Sequence, residues 1–250
     1  MENKIECPRC GSMEIWKAGK AENEKQRYQC KKCKRKFITE IKYSEEFKRK
    51  AIQTYYEGNS GRAVGRLMKI NKYTVYNWIK KLNKKIEKEK TEKGNKKKII
   101  EMDELYSYTK DKKNKTYLIT LVTRKSRQIV GFDIANEKNE HRIQNIVNKA
   151  PKANFYFSDA YKGYQNVSYV GKHFYFRDKS HTFTVEGVNS DIRKYIPTLQ
   201  RRSKCFFRSL DSFKFVINLF VYSYNKFGLF KFMFPKLKSK VSFIDFIPYP

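Results

Sequence analysis

Four of the five cysteines of this 250-residue chain stand in two pairs, Cys7-Pro8-Arg9-Cys10 and Cys30-Lys31-Lys32-Cys33. That spacing constrains the fold more than any other feature. Two residues between thiolates let both sulfurs of a knuckle reach one tetrahedral zinc ion at about 2.3 Å. Gly11 follows the first pair, where a tight knuckle calls for a positive φ. Tyr28 and Phe37 flank the second pair and supply a very small core. A unit of ~40 residues with so little apolar material needs the metal to fold. Loop thiols and a redox pair compete with this reading, but two matched knuckles without a βαβ context speak against both. Residues 1–40 are therefore expected to form a zinc ribbon with one structural zinc on Cys7, Cys10, Cys30 and Cys33. Cys205 stands apart and reads as a small buried hydrophobe.

Charge narrows the partners. Lys and Arg number 56 against 25 Asp and Glu, a formal net charge of +31. Such a surplus opposes compaction by self-repulsion unless a polyanion neutralises it. Nucleic acid fits, and counterion release from DNA would make the affinity strongly salt-dependent. Membrane insertion is disfavoured. The most apolar stretch, residues 213–234, is interrupted by Asn218, Asn225, Lys226, Gly228 and Lys231. The opening MENKIECPRC lacks the apolar core of a signal peptide. A cytoplasmic, nucleoid-associated chain is the expectation.

Residues 41–85 read as three helices. Ser44 caps the first, and Glu45 and Glu46 suit its positive end. Phe47, Ala51, Ile52 and Tyr55 recur at helical spacing. Ala63, Val64 and Leu67 mark a short second helix. The third turns Val75, Trp78, Ile79 and Leu82 inward and Tyr73, Tyr76, Asn77 and Lys80 outward. Helix, short helix, tight turn, helix is the helix-turn-helix pattern, with Asn77 and Lys80 placed to meet DNA. Plain three-helix packing is the alternative. Residues 86–98 are almost wholly polar and read as a fraying helix end and linker.

From residue 99 the pattern changes. Strands are expected at 99–106, 117–123, 128–134 and 153–157, with helices at 140–149 and 184–195. Strand-strand-strand-helix-strand-helix is the order of a ribonuclease-H-like α/β domain over 99–250, in a chain that is α+β multidomain as a whole. That order puts acids on the first strand, at the end of the fourth, and on a later helix. Hard divalent cations require such carboxylates. Asp103 sits in the run EMDE beside Glu101 and Glu104; alternation puts Glu101 on the face of Asp103 and Glu104 on the other. Asp159 can instead be a helix cap, and Glu186 a solvated helix residue. Phe213, Val216, Ile217, Phe220 and Tyr224 form a helical core stripe.

The segments CPRCGS, YQCKKCKRKF, EMDELY, FSDAYKGY, HTFTVEGVNSDIRKYIPTLQRRSKCFFRS and YSYNKF resemble the insertion sequence 1 family of transposases, in a fused full-length form. The resemblance implies a prokaryotic DNA transposase. Such an enzyme binds the terminal inverted repeats of its element, cleaves DNA, and joins the 3′ ends to target DNA by two-metal phosphoryl transfer. It implies an Asp-Asp-Glu triad at Asp103, Asp159 and Glu186 holding magnesium or manganese. It also implies a phosphate-binding residue at Arg193, seven positions after the Glu. Arg201, Arg202, Lys204 and Arg208 form a basic cluster suited to the DNA backbone. Leu105 and Tyr161 stand where the family commonly has Trp near the acids, and Gly187 weakens the helix behind Glu186. His181 is either a phosphate or acid contact or a surface residue. A homodimer or larger assembly on DNA is expected. A DNA-binding regulator and a nuclease that cuts without joining are the competing readings.

Overall fold

The computed structural model describes residues 5–22, 24–38, 43–89, 97–178, 180–201, 203–237 and 240–248. The chain divides into two compact units, Met1–Phe47 and Lys48–Pro250.

The first unit holds a three-stranded antiparallel sheet in the order β1 (Ile15–Lys20), β2 (Gln26–Cys30), β3 (Lys36–Ile38). Cys30 ends β2 and is fully buried. Tyr28 stacks on Phe37 across the β2–β3 pair, 6.2 Å between centroids.

The second unit begins within α1 (Glu45–Tyr56), followed by α2 (Gly61–Leu67) and α3 (Lys72–Glu89). Ser60 caps α2 by accepting from the Ala63 backbone N–H. Val75, Trp78, Ile79 and Leu82 are buried, whereas Tyr73, Tyr76, Asn77 and Lys80 are exposed, as the periodicity predicts. Of residues 86–98, read as a fraying helix end and linker, the helix end takes the first four. Ile86 is fully buried and carries the inward stripe of α3 one turn further. The helix thus runs to Glu89, and the next strand begins at Lys97. Residues 90–96 of that linker lie outside the described residues.

The sheet of this unit has the order β6-β5-β4-β7-β8. Its strands are β4 (Lys97–Tyr108), β5 (Lys115–Thr123), β6 (Ile129–Ala135), β7 (Ala153–Asp159) and β8 (Lys172–Phe176). β4, β5 and β6 pair antiparallel, while β7 and β8 run parallel to β4. This is the ribonuclease-H-like topology. β8 and the short α5 (Lys162–Gln165) carry mixed polar and aromatic residues and give no period to read from sequence.

Alternation along β4 separates the two faces of the sheet. Ile100 and Met102 pack with Ile119, Leu121, Ile143 and Ile146 under α4 (Glu140–Lys149). Glu101 and Asp103 face α6 (Phe183–Tyr195). The stripe Phe213, Val216, Ile217, Phe220 and Tyr224 lies on α7 (Leu210–Met233), which starts at a capping box of Ser209 and Ser212. α7 packs against α3 and β6. The C-terminal aromatic segment has a packing role: Phe243 meets Tyr56, Tyr195 and Phe220. Arg49 Nη2 donates to the Asp245 carbonyl at 2.6 Å.

Cys205 is exposed, not buried. Its N–H donates to Ser203 Oγ in a surface turn, and Phe207 takes the buried position two residues on. No described helix is long and apolar enough to cross a membrane.

Candidate active site

Glu101 on β4 pairs with Phe157 on β7, so the parallel register carries Asp103 and Asp159 to the same sheet level two residues further on. Asp103 projects toward α6. Glu104, on the opposite pleat, projects toward α5. Carboxylate oxygens of Asp103, Glu104 and Asp159 all lie within 4.8 Å of one another. Opposite faces of β4 thus feed a single cluster midway along that strand, beside the point where β7 ends. Glu104 enters a set in which simple alternation allots it no part.

Each carboxylate has a holder. Asn189 on α6 donates through Nδ2 to Asp103 Oδ2 at 3.0 Å, and its own Oδ1 accepts from Thr120 at 2.9 Å. The N–H of Tyr161 donates to Asp159 at 3.0 Å. Glu104 accepts from the buried Tyr164 hydroxyl at 3.0 Å and from the Lys138 ammonium. Burial, then the Glu104 charge, push the Asp103 carboxyl up to about 6, while its bond from Asn189 opposes the shift. Burial works against the Lys138 ammonium, but its bond to Glu104 and the charges of Glu104 and Asp159 outweigh it and raise its pKa. The oxygen-only donor set suits a hard divalent cation.

A carboxyl with a folded pKa near 6 and an unfolded value of about 3.9 binds more protons folded than unfolded between those values. Stability therefore falls as pH rises through this window, and the penalty is complete above it. Asp103→Asn is expected to raise the Tm of the chelator-treated protein at pH 7.5, with the gain shrinking toward pH 4.5. Thermal denaturation at both pH values checks this, and a gain independent of pH would refute it.

Glu186 is not in the cluster. It lies half-buried in the first turn of α6, accepting from Thr182 Oγ1 at 3.2 Å, one turn before Asn189. Glu101, which sequence reasoning passed over, holds that helix. Its carboxylate is fully buried, takes the N–H groups of Thr184 and Val185 at 2.8 and 2.9 Å, and pairs with Arg124 at 2.5 Å. Arg124 also donates to the His181 carbonyl and lies over the rings of Phe157 and Phe183. An apolar strand with an acid on the α6 face was the available signal. Gly187 has its own reason: a Cβ there would stand 3.0 Å from the Arg127 guanidinium. The His181 ring lies tilted against Phe176 at 4.2 Å and stacks on Phe157 at 5.6 Å.

Arg193 is half-buried. Burial and the neighbouring Arg201 lower its pKa while Asp103 opposes them, so Arg193 stands between a second guanidinium and one of the acids. Lys204 and Arg208 are exposed, and Arg202 lies outside the described residues. Leu105 is buried, and the Tyr161 hydroxyl donates to the Lys138 carbonyl.

In the ribbon, the sulfurs of Cys7 and Cys33 are 3.5 Å apart and those of Cys10 and Cys30 3.6 Å. All four lie within 4.8 Å. A tetrahedral zinc with ~2.3 Å bonds calls for about 3.8 Å between sulfurs, so the four thiols fit the ion. The Cys33 N–H pulls the Cys30 thiol below its ordinary value. Gly11 takes φ +67° in the first knuckle. Lys34, with φ +59°, occupies the matching place in the second. The N–H of each donates to the carbonyl of the first cysteine of its pair.

Comparison with known proteins agrees with this architecture. Residues 3–34 match the InsA N-terminal domain, a zinc ribbon. Solved structures similar in part include the HTLV-2 integrase catalytic core domain in complex with magnesium, with TM-score 0.34, 16% identity, and coverage of 51% of this chain and 88% of that one. Another is the simian T-cell lymphotropic virus intasome in complex with PP2A regulatory subunit B56 gamma, with TM-score 0.37, 12% identity, and coverage of 53% and 50%. No curated protein matches the chain. Residues 98–227 match the IS1 transposase model, and the chain belongs to the IS1 transposase family.

Proposed function

We propose that this chain binds the terminal inverted repeats of its own element, cleaves there, and joins the 3′ ends to target DNA. The observation that carries the reading is the convergence of Asp103 and Glu104 on β4 with Asp159 at the end of β7, in a chain of charge +31. Acids gathered against such a surplus are out of keeping with a surface meant only to hold DNA.

Asp103 and Asp159 would hold magnesium or manganese, with Glu186 on α6 as the third acid implied by the family. Two such ions supply positive charge to the transition state of an in-line phosphoryl transfer. The chain's own residues orient the parts. Asn189 fixes the Asp103 carboxylate. Glu104 is engaged by Lys138 and Tyr164, which makes it a support for the cluster in this reading. Arg193 and Arg201 offer a phosphate two adjacent guanidiniums. Arg202 and Lys204 extend the same basic segment along the DNA backbone.

The other parts supply binding. Asn77 and Lys80 are exposed on α3, the helix that a helix-turn-helix module places in the major groove. The ribbon of 1–40 carries one zinc, the helices of 41–85 read the repeats, and 99–250 does the chemistry. Pairing two element ends calls for a homodimer or larger assembly on double-stranded DNA, at the nucleoid.

The test incubates the protein with labelled terminal-repeat DNA, a target plasmid and Mg²⁺, beside Asp159→Asn. Joined product is expected from the wild type and should fall at least ~10²-fold in the variant, the scale on which one lost electrostatic stabiliser acts. Binding without cutting under any divalent metal sinks the proposal in favour of a regulator. Cutting without joining favours a nuclease.

A further inference from the structure

A groove of about 1040 Å³ lies away from the acids. It is formed by the start of β4, the turn between β5 and β6, the second half of α6, and α7. Lys97 stands six residues before Asp103 on β4, about 20 Å at ~3.3 Å per residue. None of the three clustered acids lines the groove, although Arg124, which pairs with Glu101, reaches its wall.

Its lining joins two features. Lys98, Lys125 and Lys231 are exposed cations, and Lys97 is partly exposed. The acid among the lining residues, Asp191, is already taken by Arg127 at 3.5 Å and by the Tyr224 hydroxyl at 2.6 Å. The lysines thus line a concave surface whose one lining carboxylate is already engaged by Arg127 and Tyr224 of the same wall. Beside them Phe232 is 81% exposed and Leu229 51% exposed. Exposed aromatic surface on a rim of cations marks an interaction site.

Charge decides the occupant. A second copy, itself carrying +31, brings no surplus of acids to neutralise these lysines, and the assembly proposed above is held by DNA between the copies. A lipid surface needs a protruding apolar face, and this one is concave. A duplex satisfies the lysines through its phosphates, but its base faces are covered by stacking and leave Phe232 unused. An unpaired strand offers phosphates to cations and base faces to an aromatic ring.

We propose that this groove binds a single-stranded segment of DNA, its phosphates on Lys98 and Lys125 and a base stacked on Phe232. The proposal rests on the reading that the chain acts on DNA, and it adds a second binding surface outside the acid cluster. The flank of a cleaved end, once unpaired, is the class of substrate that the groove fits.

The test measures anisotropy of labelled oligothymidylate and of terminal-repeat duplex with the full chain in zinc buffer without Mg²⁺. The variants are Lys98→Glu with Lys125→Glu, and Phe232→Ala. Lys149→Glu with Lys152→Glu, exposed on the α4 side, is the control of equal charge. All these side chains are exposed, and melting curves verify that the variants fold. The groove pair is expected to weaken oligothymidylate binding at least about tenfold and to flatten its salt dependence by ~0.7 for each phosphate no longer neutralised. Phe232→Ala is expected to weaken it roughly fivefold or more with the salt dependence unchanged. Duplex binding should hold within about twofold.

Equal weakening in the groove pair and the α4-side pair overturns the proposal, as does an unaffected Phe232→Ala. Weakening on the duplex as large as on the single strand also overturns it. If the wild type binds neither DNA, the broader functional reading fails instead.

Discussion

Stripping zinc with a strong chelator, or replacing Cys7 by Ser, is expected to unfold the ribbon and leave the melting of the larger unit in place. The ribbon's strands are short, and its interior is little more than Cys7, Cys30 and the Tyr28–Phe37 stack. Four thiols within 4.8 Å gain nothing from one another without an ion, since deprotonated sulfurs repel. The binding energy of such a site is folding energy, about 10–16 kcal/mol at neutral pH. Few compact units of this size have that much stability to lose. Circular dichroism and Trp16 fluorescence on titrating a chelator should show one early transition, with the main melt unchanged. A ribbon signal that survives chelation would refute the metal-dependent fold. Cys205→Ser should change neither transition, because that thiol is exposed.

The second large effect is expected at Glu101. Its carboxylate is fully buried and satisfies three partners: Arg124 and two N–H groups at the start of α6. Glu101→Ala leaves a mostly buried guanidinium and a helix N-terminus without their counter-charge. Breaking a buried pair from one side costs about 3–5 kcal/mol. For a unit of this size that is a fall in Tm on the order of 10 °C. Chemical denaturation of the zinc-loaded protein measures it. The double variant Glu101→Met with Arg124→Met should recover part of the loss, because no charge is then stranded. If the double variant is as unstable as Glu101→Ala, the pair is not the cause. The same change should loosen α6 and with it Asn189, which holds Asp103. Mg²⁺-dependent activity should therefore fall more steeply than stability alone accounts for.

These two residues differ in how they could be read. Cys7 announces itself by its spacing, because a metal's bond length and angle fix how far apart its ligands stand in the chain. Glu101 has no such signature. In the run EMDE three acids crowd one strand, and alternation alone puts Glu101 and Asp103 together with Glu104 opposite. That is true of the faces, yet where the neighbouring β7 ends at Asp159 both faces of β4 reach one space. Glu104 joins Asp103 and Asp159 there, while Glu101 is drawn under α6. The helix at 140–149 was read from the sequence with the bounds it has, and the structure adds its Asn139 cap. β8 was not, because its mixed polar and aromatic residues carry no period and its place is fixed by pairing with β7.

The zinc knuckles, the periodic helices and strands, the order of the ribonuclease-H-like sheet and the polyanionic class of partner are all written in the chain itself. Each follows from local spacing, local periodicity or summed charge, which need no knowledge of distant neighbours. Which acids meet, and which are used in packing, was settled only on folding. So was the place of Glu186 outside the carboxylate cluster, and the gathering of cations and aromatics from β4, the β5–β6 turn, α6 and α7 around one groove. Those are properties of side chains brought together across long stretches of chain, from Asp103 to Asp159 in the cluster and from Lys97 to Phe232 in the groove, where parallel register and helix docking, not local spacing, set the distances.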